Sequence, residues 1–441
     1  MLKRFFLSKR TIITLIILML GAILLGYFFP QRFLSSPDDL DKWQLANPAL
    51  AKLSRWFALD HVYTSPWFAL LLTLFLVSLC FSTWEQFRIA LRKSRGGGAG
   101  GESFETSASA VVLADGLRAL GYLRTGVREG VILFVRHPWG YWGNFLLHLG
   151  IVISIASSLL ILLYEKRAVI DLLEGETHHA GAAWAKEERG LLAGTLMLPD
   201  AVRLDRVVPE YYDNDNMRQL TTDFSFVDAA GRAEPFSMHI NKSVRYRGVR
   251  IFQGKSHGRA FFVKFTGRDG RQHGEVFMLD HPVDRNRASY KDFALTWLPV
   301  NLKTKFYGDA DRRSVDGRNP LFVMRLVEGG KVAAELPLKV GETGRLGDYT
   351  AQLVKIERWG GLIFIDTTGM AGIFFGFFIV CLGGLLSYFC PPRECSLYPA
   401  EGRCRLSWRA TRFERLYRDE FDALRSLAQD AAAGSGAEKQ G

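Results

Sequence analysis

An imidazole inside a hydrocarbon layer is a ligand, a proton carrier or a hydrogen-bonded packing group, and His148 poses that choice. It lies about two helical turns into the run Trp142–Tyr164, WGNFLLHLGIVISIASSLLILLY, which is otherwise apolar enough to cross a membrane. An ionisable side chain at that depth costs a few kcal/mol, so it turns to a partner helix, a polar cavity or a bound group. On a helix Asn144 shares the face of His148 at i, i+4. Gly143, Gly150, Ser154 and Ser157 form an adjoining seam of small residues. The seam admits a close helix neighbour and brings the imidazole against it. Imidazole nitrogen is a good axial ligand for haem iron, an apolar cleft suits a porphyrin, and Asn144 is placed to orient the ring. The residues alone leave a haem site, a proton site and a packing histidine all open.

The elements that position His148 follow from hydropathy. The chain has 441 residues, a formal net charge of +11 and 48% hydrophobic residues, unevenly spread. Four stretches are long enough to cross a bilayer: Thr11–Phe29, Trp67–Trp84, Trp142–Tyr164 and Met370–Phe389. The first follows Lys3, Arg4, Lys9 and Arg10 like a signal peptide. Its core is too long, and Tyr27–Gln31 offers no small-residue cleavage site, so it reads as a retained anchor. The organisation expected is two spans with a short external loop (1–84), a cytoplasmic loop (85–141) and a third span (142–164). An extracytoplasmic β-rich domain (165–369), a fourth span (370–390) and a basic amphipathic tail (391–441) follow.

Basic residues set the orientation. The N-terminus, the segment between spans two and three (Arg88, Arg92, Lys93, Arg95, Arg124, Arg128, Arg136) and the tail (Arg393 to Arg418) should face the cytoplasm. The positive charge is a topology signal beside a lipid bilayer. No base-reading motif is present, so nucleic acid is not an expected partner. The glycine run Arg95–Gly101 lacks the Gly-Lys-Ser/Thr of a phosphate loop and reads as a flexible linker. Beyond it, Ala114–Leu120 suits a helix and Val131–Val135 a strand.

Between spans three and four the period becomes alternating. Leu220–Val227, Phe236–Ile240, Gly248–Gln253, Ala260–Phe265, Leu321–Leu326 and Tyr349–Ile356 read as strands, with turns at Ala229–Arg232, Thr266–Gly270 and Glu328–Gly330. A sandwich and a split barrel fit equally. None of the five cysteines (Cys80, Cys381, Cys390, Cys395, Cys404) falls in this region, so its fold owes nothing to disulfides. Lacking C-x-x-C, the last three read as lipidated or structural thiols. In the tail, the apolar residues from Trp408 to Leu427 suggest an amphipathic helix along the inner membrane surface.

The remaining histidines show no metal spacing. His137 reads as an interfacial residue with a possible part in haem uptake. His178 and His179 would point to opposite faces of a strand. His239, His257, His273 and His281 are scattered.

Three segments together resemble the ResB (CcsB) family of system II cytochrome c assembly: Val62–Phe68 (VYTSPWF) before the second span, His148-Leu149-Gly150, and the long run His239–Gln253, HINKSVRYRGVRIFQ. Asp366-Thr367-Thr368-Gly369 differs from the Asp-Pro-Gly of the family pattern. The resemblance implies a subunit that works with a CcsA (ResC)-type membrane protein in the cytoplasmic membrane. Transiently bound haem b would pass outward for covalent attachment to apocytochrome c, with a thioredoxin-like reductant keeping the client thiols open. It implies His148 as the haem-iron ligand, no catalytic residue in this chain, and covalent chemistry at the partner. Asn241, Lys242 and Gln253 read as residues that shape the external fold. A competing reading is a membrane-anchored external scaffold without haem. An external enzyme ranks last, because no G-x-S-x-G, H-E-x-x-H or Cys–His pair is present.

Overall fold

The computed structural model describes residues 2–35, 37–96, 100–298, 300–329, 331–400 and 403–437. Part of the expected glycine linker (97–99) and the last residue of the Glu328–Gly330 turn lie outside the described residues. The chain divides into two compact units, Met1–Leu163 with Thr368–Gly441, and Tyr164–Thr367.

The first unit holds four helices apolar and long enough to span a membrane: Lys9–Phe28, Pro66–Arg95, Pro138–Tyr164 including its opening 3-10 turn, and Met370–Phe389. Local chemistry sets two of the starts. Ser8 accepts from the Thr11 amide, and Ser65 accepts from the Phe68 amide just before Pro66, which occupies the first turn. The seam on the third span packs on the fourth. A Cβ placed on Gly150 would lie 2.6 Å from the Gly376 carbonyl oxygen. One on Gly376 would lie 2.2 Å from Ser154 Oγ. Only glycine lets the two backbones meet there, and that contact replaces the hydrophobic effect, which is absent between helices in lipid.

This unit also holds a five-stranded antiparallel sheet. Its order is Glu102–Thr106, Arg403–Ala410, Arg393–Ala400, Val131–Arg136, Leu123–Arg128. The span two–three segment and the tail therefore form one body. Two helices, Ala110–Ala119 and Arg418–Ala437, contribute Leu113, Leu117, Leu424 and Ala428 to a core with Phe134, Leu397, Leu406 and Trp408. Glu420 is the polar centre of the packing. It accepts from Tyr122 Oη (2.7 Å) and Arg136 (3.1 Å) and pairs with Arg393 at 3.3 Å.

The surface helix expected over Trp408–Leu427 does not form. Trp408 is in a strand, fully buried, and donates from Nε1 to Tyr122 Oη at 2.8 Å. The helix begins at Arg418, carries four carboxylates against two arginines, and turns Phe421, Leu424 and Ala428 into the core rather than toward lipid. Apolar residues alternating at 404, 406, 408 and 410 were the true period, overlapped by a helical spacing that happened to fit. Cys395 and Cys404 are buried in the same core, and burial pushes both thiols up, so they are packing residues.

The second unit is β-rich, as its alternation predicts. A seven-stranded sheet runs Val244–Tyr246, Val249–Gly267, Tyr349–Asp366, Lys166–Leu173, Lys186–Arg189, with Gln272–Asp280 and Thr343–Leu346 added along the two long strands. One four-stranded sheet, from Thr177–His178 through Ala201–Tyr211 and Met217–Val227 to Ala233–Met238, covers one end with a core of Leu204, Phe224, Phe226, Ile251 and Phe364. The other, Ser289–Phe293 to Lys331–Leu338, covers the far end with Phe261, Phe277, Phe306, Phe322 and Leu353. The result is two sandwiches sharing one sheet, which settles the choice between sandwich and barrel. The segments Gly248–Gln253 and Ala260–Phe265, expected as separate strands, are one strand with a register shift between Gln253 and His257. The close backbone approach of Gly254 to Gly361 at that shift lets the strand serve both cores.

Candidate functional site

His148 is half-buried on the third span. Its Nδ1 lies 2.9 Å from the backbone carbonyl oxygen of Asn144. A carbonyl oxygen can only accept, so this bond assigns the proton of the neutral ring to Nδ1 and leaves the Nε2 lone pair free. No described residue bonds Nε2. That is the tautomer and orientation a metal ligand needs. The side chain of Asn144, expected to orient the ring, instead donates from Nδ2 to Gln86 Oε1 of the second span at 2.7 Å. The orienting atom belongs to its backbone. Gln86 is the residue the sequence reading missed; its place two residues after Trp84, at the end of the apolar run, is the signal that could have shown it. Phe87 adds to the same helix pair, packing on Phe145 and Trp142 at 5.4 and 5.8 Å.

His137 is arranged oppositely. Its backbone is left-handed (φ 57°), its ring stacks on Trp139, and Arg393 donates to Nδ1 at 2.9 Å. Burial, then the charges of Arg393 and Arg136, hold its pKa below the usual histidine value. With Nδ1 occupied as an acceptor, this ring belongs to the anchoring of Arg393, the interfacial role rather than a ligand's.

In the second unit His178 leans on Trp184, His273 stacks on Trp297, and His239 Nδ1 meets Thr221 Oγ1 at 3.0 Å. The run His239–Gln253 builds a turn and a hairpin: the Lys242 amide donates to the His239 carbonyl, Asn241 takes φ 66°, and Val244–Tyr246 pairs with Val249–Ile251. A cavity of about 510 Å³ opens beside it, lined by Met217, His239, Ile240, Asn241, Lys242 and Phe252. The shaping role expected for Asn241 and Lys242 is visible in that turn.

One cluster had no counterpart in the sequence reading. His257 and His281 stack with ring centroids 5.4 Å apart, and Tyr211 Oη lies 3.1 Å from His257 Nε2. Burial lowers their pKa values to about 4 and about 3. Beside them burial would raise Asp316, but hydrogen bonds from Arg259 (2.6 Å) and Arg358 (2.7 Å) outweigh it and hold the carboxyl below its ordinary value. His257 lies within the strand Val249–Gly267 and His281 just past the end of its neighbour Gln272–Asp280, so the two meet only through the fold. Among the described residues no group of three or more His, Cys, Asp or Glu side chains is placed to hold a metal ion.

Four apolar helices, a β-rich insert between the third and fourth, and one imidazole held inside the third define a class of polytopic membrane protein. The chain belongs to the ResB-like family, which matches residues 9–351. It is similar to the cytochrome c biogenesis protein CcsB of Thermosynechococcus vestitus, 25% identical over 408 residues, 87% of this chain and 86% of that protein. It is also similar to the cytochrome c biogenesis protein CcsB of a Picosynechococcus species, at 23% identity over 362 residues, 78% of this chain and 74% of that protein.

Proposed function

We propose that this chain is a cytochrome c biogenesis protein that, with a CcsA (ResC)-type partner, takes haem b across the cytoplasmic membrane and presents it for attachment to apocytochrome c. The family and the relatives' names support the role in biogenesis. The observation carrying the haem reading is the bond from His148 Nδ1 to the Asn144 carbonyl, which aims an unshared Nε2 lone pair out of an apolar helix. Haem is the cargo here, and the chain acts by holding and orienting it. Covalent chemistry falls to the partner, with a thioredoxin-like reductant keeping client thiols reduced. Cells lacking this chain should lose haem-stained c-type cytochromes, and the chain purified with its partner should show a Soret band. A colourless complex that still binds apocytochrome would favour the external scaffold reading.

Topology supports the direction of transport. Val131–Arg136 and Arg393–Ala400 pair in one sheet, and a sheet cannot straddle a bilayer, so the chain between them crosses an even number of times. The basic flanks support reading that sheet as cytoplasmic and Tyr164–Thr367 as external. Activity reporters fused after Gly98 and within Gly267–Gly270 should give opposite signals; equal signals would refute the four-span arrangement.

A further inference from the structure

Where the second span leaves the apolar layer, its helix continues for three more turns and carries Arg88, Arg92 and Arg95. The spacing i, i+4, i+7 puts all three on one face, with Leu91 between them. The hairpin strand Leu123–Arg128 closes against that face, near enough that a Cβ on Gly126 would lie 4.0 Å from the Arg95 carbonyl oxygen. The two elements enclose a groove of about 560 Å³ whose lining includes Arg88, Arg92, Arg95, Arg128, Leu91 and Val127. Four guanidinium groups thus share one concavity with an apolar strip.

Their charge is poorly compensated. Glu85 is taken by Lys3 and stands 4.0 Å from Arg88, and among the described residues Arg128 pairs only with Glu129, also at 4.0 Å. Arg92 and Arg95 make no ion pair among the described residues. Four clustered cations with two distant carboxylates leave a strong preference for an anion.

Depth identifies which anion. Trp84 and Phe87 stack at 5.5 Å, and Trp142 joins Phe87, an aromatic group of the kind that marks the edge of the hydrocarbon layer. At about 1.5 Å per residue, Arg88 lies about 6 Å and Arg92 about 12 Å beyond Trp84. The headgroup layer on each face is about 5–8 Å thick. Long side chains reaching back along the helix place their guanidinium groups within it.

We propose that this groove binds the phosphate headgroup of an anionic phospholipid, with Leu91 and Val127 against the glycerol end of its acyl chains. The guanidinium fork matches two phosphate oxygens, which a lone ammonium does not. The site is independent of the haem reading, since it needs neither His148 nor the partner. A free phosphate ion shares the headgroup's chemistry, so the test separates the two sources.

The full chain, purified in detergent, is titrated with phosphatidylglycerol or phosphatidylcholine and the retained lipid counted by native mass spectrometry. Phosphatidylglycerol should be retained in preference, and excess inorganic phosphate should not displace it. Arg88→Gln with Arg92→Gln and Arg128→Gln should weaken retention by about fivefold per arginine removed. Arg88→Lys with Arg92→Lys and Arg128→Lys, which keeps the charge and the fold, should weaken it by less. Arg403→Gln with Arg409→Gln and Arg415→Gln, which removes equal charge elsewhere, should leave it unchanged. Equal retention of the two lipids, displacement by phosphate, or an equal loss in the second glutamine set would overturn the proposal.

Discussion

His148→Ala should lower the haem content of the chain purified with its partner by at least about tenfold, the lower end of what disturbing the surroundings of a metal ligand costs. Cytochrome c maturation should fall with it. Imidazole added to the growth medium should restore part of both, because the vacated space lies beside a helix whose Asn144 carbonyl can still accept an N–H. Asn144→Ala tests the geometry more finely. It removes the bond to Gln86 but keeps the backbone carbonyl that fixes the ring, so haem content should drop far less than in His148→Ala. His137→Ala should also be mild, since Arg393 occupies its Nδ1. Unchanged haem content and spectrum in His148→Ala, with the complex intact, would sink the ligand assignment and promote the scaffold reading.

The buried histidine pair should make the β-rich unit sensitive to acid. Unfolded, His257 and His281 titrate near 6.5; folded, they titrate at about 4 and about 3. The unfolded chain binds protons first as pH falls, so stability is whole above about pH 6.5 and declines down to the folded values. The His257 shift alone corresponds to roughly 3 kcal/mol. Asp316, held low by Arg259 and Arg358, adds its own loss only below about pH 4. Urea unfolding of Tyr164–Thr367 at pH 7 and pH 4.5, followed by circular dichroism, reads the difference. His257→Gln with His281→Leu should be less stable at pH 7 and lose much less between the two pH values. A variant as acid-sensitive as the parent would show that the pair does not control the transition.

What could be read from the sequence was what repeats locally. The spans were legible because eighteen or more apolar residues in a row have few other uses. The small-residue seam of Gly143, Gly150, Ser154 and Ser157 announced a close helix neighbour, though only the structure showed that Gly372, Gly376 and Gly383 of the fourth span supply it. Tail and loop were read as separate pieces because no local pattern says that Cys395 will lie opposite Phe134. Trp408 misled for a related reason: it is buried in a core that includes Tyr122 and Phe134, far away in sequence, not by neighbours one turn away. In the insert, short strands such as Ser289–Phe293 alternate too weakly to stand out. The strand Val249–Gly267 was split in two because its middle residues change cores. Of the candidate site, the position of His148 was legible and the atom that orients it was not. A hydrogen bond to a backbone carbonyl leaves no trace in residue identity.

The five-stranded sheet also imposes a schedule on synthesis. Trp408 must find Tyr122, 286 residues earlier in the chain. At about 5–20 residues per second, the ribosome needs roughly 15–60 s to bridge that interval. Meanwhile the hairpin Leu123–Arg136 waits with one strand edge unpaired and Phe134 uncovered, while the whole β-rich insert is threaded elsewhere. The last strands to be made complete the first. A nascent chain that stalls after its fourth span therefore displays an open, sticky edge, and that edge closes only once Arg393–Ala400 has been made.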